Sequence, residues 1–385
     1  MKIIHIQHPF IPNKGYQENY LPREQAKLGH DVTIVSTNIL PEKFRNQSNP
    51  SQFNTGRYDE NGVEVRRLRS HSLHGAATYS LGIEKVLSQE DPDIIHSHRL
   101  ISVHTLQSII GQKFTGGKLF FDAHIDNDNF HLNTRGKAIG FELFKKTIAP
   151  FAERQATRVL PVNPYCEQFL INNLGISDQK IELLPLGVDT GQFYSSESER
   201  MEIRAELGYS AEDIVYIFAG NIMPEKDLEN LITAFSKLDL DNKELLILGE
   251  GEEQYMSRLR RTVDHNSINE QVTFHDFVPH SDLSKYYNAA DVGVWPGKLG
   301  ITIIEAISCG LPVILPSSSA TDFLLENNGL TYSRGNVKEL SGSMEQYGVS
   351  EHHREQSKES AIQLVNDKLA WSEVAKQSIE IYMKE

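Results

Sequence analysis

The sequence predicts an α/β protein of two Rossmann-like domains. Three observations carry this. Short apolar runs rich in Ile, Val and Leu recur from Lys2 to Leu315, bounded by Gly, Pro, Asn or Asp. Helical periodicity fills the stretches between them, and alternation of strand and helix is the pattern of parallel sheets. From Thr190 to Asp213 the composition turns polar and acidic, and a buried strand pattern restarts at Ile214. The boundary therefore falls near residue 190, with domains over 1–190 and 191–369 and a last helix over about 370–385.

In the first half, Lys2 to Gln7 reads as a short buried strand. Pro9 to Gly15 is a loop, a helix runs from about Gln17 to Leu28, and Gly29 stops it before the strand Val32 to Ser36. A lone Gly15 in that first loop serves equally well as a tight turn without a ligand. Lys43 to Gly62 is polar, a surface loop and a candidate lid over an acceptor. Val63 to Leu68 alternates as a strand, Tyr79 to Gln89 is helical, Asp93 to His98 is a parallel strand and Val103 to Gly111 a helix. Lys118 to His124 is a strand that delivers His124 at its carboxyl end, the ligand side of an open α/β sheet. A lone histidine is more often structural, but this position puts a chemical role on an equal footing with a structural one. Asp126 and Asp128 have the spacing of a metal-binding pair, yet with Asn neighbours they read better as a solvated turn. Arg135 to Arg158 is a long amphipathic helix interrupted by Pro150. Its Arg135, Lys137, Lys145, Lys146, Arg154 and Arg158 form either a solvated face or a contact for an anionic acceptor or lipid surface. Short strands follow at Val159 to Val162 and Ile181 to Leu184.

Composition narrows the function. Lys+Arg 38 against Asp+Glu 52 gives a formal charge of -14, which argues against a nucleic-acid binder. Only Cys166 and Cys309 are present, too few for a disulfide framework or a structural zinc site. No apolar run reaches the roughly 20 residues that span a bilayer. The first residues, MKIIHIQHPF, have strand character rather than signal-peptide architecture. A cytoplasmic enzyme is the expectation, with a peripheral place on the inner face of the membrane as its variant.

In the second half, strands are expected at Ile214 to Ala219, Glu244 to Leu248, Val272 to His275 and Val292 to Trp295. Helices lie near Leu228 to Leu238, Glu253 to His265 and Leu283 to Ala289. Four strand ends face phosphate or sugar chemistry. Gly220 to Lys226 follows a strand and precedes a helix, placing an ammonium beside a diphosphate. Gly249 and Gly251 allow close backbone approach. Phe277-Val278-Pro279 is an apolar turn suited to a base. The stretch VGVWPGKLGITIIEAISCGLP is a strand that breaks at Pro296-Gly297 and Gly300, then a helix carrying Glu305 and closed by Gly310 and Pro312. The exposed N–H groups of such a helix start favour phosphate, and a carboxylate one turn inside reaches a sugar hydroxyl. Each feature alone is a turn or a solvated lysine; together, on successive strand ends, they describe one ligand site.

These motifs resemble the GT-B glycosyltransferases of family 4, which transfer sugars from nucleotide donors with retention. The marks are PNKGYQEN, KLGHDVTIVST, DIIHSH, the strand-end His124 and ELLPLGVDTGQF in the first half. In the second they are AGNIMPEK, LLILGEGEE, VTFHDFVPHSDLSKYYNAADVGVWP and IIEAISCGLPVI. The closing LAWSEVAKQSIEIYMKE, with Trp371, resembles the final helix of these enzymes, which crosses back to the first domain. The resemblance implies two domains facing across a cleft. It places Gly15 by the donor phosphate, His124 by the transferred sugar, Lys226 on the leaving diphosphate, Val278 at the base and Glu305 on the ribose. Gly220, Asn221, Gly249, Gly251, Gly297, Lys298 and Gly300 would line the donor, with the amides of Ile301 and Thr302 capping its phosphates. The co-substrate would be a UDP- or GDP-linked sugar and the acceptor a glycan or lipid-linked hydroxyl. No cofactor or metal is implied, because cations and helix amides stabilise the leaving group.

Two positions depart from the family pattern. Gly297 stands where a sugar-reading glutamate is usual, and Asn221 where an arginine is usual. Either the donor sugar is recognised differently, with Lys298 meeting a sugar oxygen or an acidic sugar, or the chain is a catalytically reduced homologue that binds sugar nucleotide or serves as a partner subunit.

Overall fold

The structure is a computed structural model describing residues 1–12, 15–42, 50–74, 77–127, 130, 132 and 134–384. The chain divides into two compact units, Met1–Leu186 with Trp371–Glu385, and Gly187–Ala370. Asp128 and part of the expected 43–62 loop lie outside the described residues.

The first unit contains β1 (Lys2–Gln7), α1 (Gln17–Lys27), β2 (Asp31–Thr37), β3 (Gly56–Glu60), β4 (Val63–Leu68), β5 (Ser70–His74) and β6 (Ala77–Ser80). It continues with α2 (Ile83–Glu90), β7 (Ile94–Ser97), α3 (Val103–Gln112), β8 (Lys118–Ala123), α4 (Arg135–Gln155), β9 (Arg158–Pro161) and α5 (Pro164–Phe169). Its seven-stranded sheet has the order β3-β4-β2-β1-β7-β8-β9, with β5 and β6 paired separately. Only the β3–β4 pair of that sheet is antiparallel. Both faces are covered, which is why the strands read as continuous apolar runs. On β1, Ile4 and Ile6 enter one core cluster and Ile3 the other. The helix Trp371–Lys384 completes the second cluster through Trp371, Val374, Ala375, Ile379 and Tyr382, and Trp371 stacks on Tyr20 at 5.6 Å between centroids.

Three expectations are corrected here. Tyr79 belongs to β6, because Gly82 adopts a left-handed φ of 90° and starts the helix afresh at Ile83. Within the polar 43–62 stretch, Pro50–Phe53 forms a 3-10 turn and Gly56–Glu60 is a strand. Ile181 to Leu184 makes an isolated bridge from Ile181 to Val159 and two backbone hydrogen bonds to β9, short of a strand.

The second unit contains α6 (Glu197–Leu207), β10 (Ile214–Ala219), α7 (Leu228–Ser236), β11 (Lys243–Leu248), α8 (Glu253–His265), β12 (Val272–His275) and α9 (Leu283–Ala289). It ends with β13 (Val292–Val294), α10 (Thr302–Ser308), β14 (Val313–Pro316), α11 (Ser319–Asp322), β15 (Gly329–Tyr332), α12 (Val337–Val349) and α13 (Glu351–Leu364). The sheet order is β12-β11-β10-β13-β14-β15, all parallel. The chain walks outward from β10 to β12, then returns to β13 on the other side of β10. The strand order therefore reverses between β10 and β13, the place where open α/β sheets hold their ligands. No helix among the described residues is long and apolar enough to cross a membrane.

Candidate active site

The loops leaving β10 and β13 meet at that reversal. Beyond β10, Pro224–Lys226 forms a 3-10 turn that presents Lys226. Its ammonium donates to the Lys298 carbonyl at 2.6 Å, and the Lys298 N–H donates back to the Glu225 carbonyl at 2.8 Å. Burial, with Lys298 as a second cation nearby, pushes Lys226 down to about 8. The 296–298 segment is pinned from its other side too, where the Tyr332 hydroxyl donates to the Pro296 carbonyl at 2.8 Å. Beneath it, fully buried Trp295 donates its indole N–H to the Ala219 carbonyl at 3.0 Å.

Glu305 lies in the first turn of α10, 4% exposed. Its Oε1 accepts from His280 Nε2 at 2.7 Å, while Oε2 is buried without a hydrogen-bond partner among the described residues. An unmet carboxylate oxygen is costly in a folded interior, and a hydroxyl that reached it would relieve that cost. The hydrogen bond to Glu305 raises His280 above the ordinary imidazole value, against the opposing effect of burial. The N–H groups of Ile301 and Thr302 stand at the start of α10 with no backbone acceptor among the described residues. Val278 is 8% exposed and the adjoining Phe277 63%, so the apolar turn after β12 offers a bare aromatic face.

Close backbone packing leaves no room for a side chain at Gly249, Gly251 and Gly297. A Cβ at Gly249 would sit 2.0 Å from the Gly220 carbonyl oxygen, and one at Gly251 2.3 Å from that of Ile222. The loops after β10 and β11 thus run on side by side past their strands, through Gly220 N–H to Leu248 and Ile222 N–H to Glu250. Asn221 is exposed at their tip. A Cβ at Gly297 would lie 2.2 Å from the Glu225 carbonyl oxygen and 2.7 Å from the Lys226 Cα. A side chain at Gly300 would come 3.6 Å from the Lys226 ammonium. The structure thus gathers Lys226, Gly297, Lys298 and Gly300 into one cluster.

On the first unit, His124 follows β8 with its side chain 35% exposed. Its Nε2 lies 3.4 Å from Asp122 Oδ2. Burial works against charge on this imidazole, but Asp122 outweighs it and lifts His124 above its ordinary value. Asp122 itself is fully buried. Burial opposes its ionisation, yet the surrounding histidines, His98 foremost, hold it well below the usual carboxylate range. The same oxygen meets His98 Nδ1 at 2.5 Å, and Oδ1 accepts the Arg99 N–H at 2.6 Å. Behind them, His5 bridges His98 at 3.0 Å and Gln25 at 2.7 Å, while His96 meets the Tyr382 hydroxyl at 2.6 Å. His5, His96 and His98 are grouped closely enough to hold a cation. Hydrogen bonds occupy every ring nitrogen of the three except His96 Nε2, and burial pushes His96 down to about 4. His5 and His98 form a hydrogen-bonded chain to Asp122, and His96 stacks on both rings while bonding to Tyr382. Gly15, with φ of 71°, makes the left-handed turn into α1 that admits glycine without strain.

Sequence reasoning missed Arg99, His280 and Gln192. Arg99 follows β7 with a φ of 66°, unusual for a residue with a Cβ, and its charge is felt by His124. Gln192 donates to the His280 carbonyl at 2.8 Å. DTGQF and VPHSDL were both visible as motifs, but their pairing across 88 residues leaves no local signal.

Two family models match the chain: Glycosyltransferase Family 4 over residues 20–192 and Glycosyl transferases group 1 over residues 199–364. An uncharacterized glycosyltransferase of Methanocaldococcus jannaschii is 24% identical over 378 residues, 93% of this chain and 90% of that protein. The D-inositol 3-phosphate glycosyltransferase of Segniliparus rotundus is 32% identical over 143 residues, which cover 35% of this chain and 31% of that enzyme. Among solved structures, Anabaena HepE in complex with UDP superposes with a TM-score of 0.75 at 16% identity, over 100% of both chains. HepE is also solved with UDP-glucose, at a TM-score of 0.69. The order of the strand-end motifs, the two matched models and the shared fold agree, and the chain belongs to the family 4-type glycosyltransferases of GT-B fold.

Proposed function

We propose that the chain is a retaining transferase that moves a sugar from a nucleoside diphosphate, UDP or GDP, to an acceptor hydroxyl. The observation that carries this reading is Oε2 of Glu305, buried and unpartnered among the described residues beside the strand-order reversal, an acceptor that a ribose hydroxyl would satisfy. In the proposed reaction the acceptor oxygen bonds to the anomeric carbon as the bond from that carbon to the phosphate oxygen breaks. The acceptor proton passes to an oxygen of the departing diphosphate on the same face, and no enzyme nucleophile takes part. Lys226 exchanges the Lys298 carbonyl for a phosphate oxygen and offsets the leaving charge, with the Ile301 and Thr302 amides alongside. His124 stands by the transferred sugar. Divalent metal has no part in the transfer. Support for the donor class comes from the UDP and UDP-glucose bound to HepE.

The acceptor is a glycan or lipid-linked hydroxyl. Ile139 and Leu143, 69% and 62% exposed on α4 among its cations, support peripheral contact with the inner face of an anionic membrane. A donor screen with UDP- and GDP-sugars, with product anomer determined by NMR and with chelator present, tests the reading. Binding of neither nucleotide, or product of inverted configuration, would overturn it. Gly297 favours the second reading, a catalytically reduced homologue, because the usual carboxylate is missing there. Donor binding without turnover on any acceptor would decide for that reading.

A further inference from the structure

We infer that His280, backed by Gln192, is a positioning residue that aims the Glu305 carboxylate at the nucleotide ribose. The inference rests on the donor reading above and goes on to say what makes Glu305 selective.

Three segments distant in sequence converge. The first is a turn at Asp189–Phe193, in which the N–H groups of Gln192 and Phe193 donate to the Asp189 carbonyl at 3.0 and 2.8 Å. The Asp189 carboxylate also accepts from Gly191 N–H at 2.9 Å. This turn delivers the Gln192 side-chain amide to His280, where it donates to the backbone carbonyl at 2.8 Å and approaches ring Nδ1 at 3.2 Å. With an N–H pointing at it, Nδ1 is the acceptor, so the ring proton sits on Nε2. Nε2–H then donates to Glu305 Oε1 at 2.7 Å. The ring packs edge-on against Phe193 at 5.1 Å, and the Phe193 carbonyl accepts from Ser308 Oγ at 2.6 Å. Ser308 lies on the helix that carries Glu305, so turn, histidine and helix brace one another.

A carboxylate on a flexible side chain offers either oxygen in several orientations. Here Oε1 is committed to His280, and Oε2 is left buried and unmet among the described residues. Fixing one oxygen fixes where the other points, which lowers the ordering cost when a hydroxyl binds. His280 touches neither sugar nor phosphate in this scheme; it acts through Glu305.

The test compares UDP and GDP with their 2′,3′-dideoxy analogues by calorimetry, in the wild-type chain and in His280→Ala, His280→Gln and Gln192→Ala. His280→Ala is expected to weaken the ordinary nucleotide about tenfold and to raise KM for the donor with little change in kcat. The dideoxy analogue, which offers Glu305 no hydroxyl, should bind both proteins alike. His280→Gln restores an N–H toward Glu305 and should recover most of the loss, and Gln192→Ala should show a smaller effect of the same kind. Equal weakening of both ligands by His280→Ala would mean a merely structural role and overturn the inference, as would no weakening at all. A wild-type chain that binds neither UDP nor GDP would overturn the donor reading itself, and this inference with it.

Discussion

Placing a glutamate at Gly297, the residue expected there from the family pattern, puts a Cβ where the backbone of the 224–226 turn already lies. The nearest atoms would be 2.2, 2.6 and 2.7 Å away, all below the 3.0 Å that real Cβ atoms respect. Two backbones must then part by about 1 Å, and overpacking of this kind costs roughly 1–3 kcal/mol. The parting also breaks the Lys298 N–H to Glu225 bond and the Lys226 ammonium to Lys298 bond. Taken together these terms overlap, and a net loss of about 3 kcal/mol is expected. For a unit of this size that lowers its melting temperature by roughly 6–12 °C. Differential scanning calorimetry of Gly297→Glu and Gly297→Ala reads it. Alanine should show most of the loss, because the clash begins at Cβ. An alanine variant that melts with the wild type would refute the packing account and make donor recognition the sole reason for glycine here.

Lys226→Met should abolish transfer while making the free protein more stable at pH 7, measured by urea unfolding. The native lysine sits near 8 against an ordinary 10.5, so between those values the unfolded chain binds more proton and wild-type stability rises with pH. The methionine variant should lack that rise. Wild-type donor affinity should fall as pH passes 8, as the ammonium is lost. His124 should titrate above 6.5 by NMR, and Asp122→Asn should lower its midpoint; the pair's contribution to stability is full below 6.5 and fades as pH climbs through the raised native value. Ile139→Glu with Leu143→Glu should abolish co-sedimentation with anionic vesicles and leave UDP or GDP affinity unchanged.

The second unit was legible to within a residue or two from Ile214 to Trp295, while β15, α12 and α13 were not read. Ile214–Ala219, Glu253–His265, Val272–His275 and Leu283–Ala289 form as expected, because strands buried on both faces give unbroken apolar runs and glycine-rich loops punctuate them. The first unit was less so: the Leu81-Gly82 turn lies inside an apparently continuous helical pattern, and a strand hides in the polar 43–62 stretch. Within the site, Lys226 and Glu305 were read from their place after strand ends. The loop packing at Gly249, Gly251 and Gly297 was not, since a glycine's pattern is the same whether a ligand or a neighbouring loop comes close. Gln192, His280 and the histidines beneath Asp122 were beyond reach for a related reason. Parallel crossovers join residues far apart in the chain, and periodicity carries no record of such meetings.

The helix Trp371–Lys384 has a consequence for synthesis. Its Tyr382 hydroxyl reaches His96, its Ser378 accepts from Gln25, and its Trp371 caps Tyr20, all in the unit whose other residues are made first. During translation the earlier unit lacks one wall of its core until residues beyond the Gly187–Ala370 unit have been made. The half made first is therefore completed only after the second half has been synthesised, and until then its apolar surface is open where the helix Trp371–Lys384 packs.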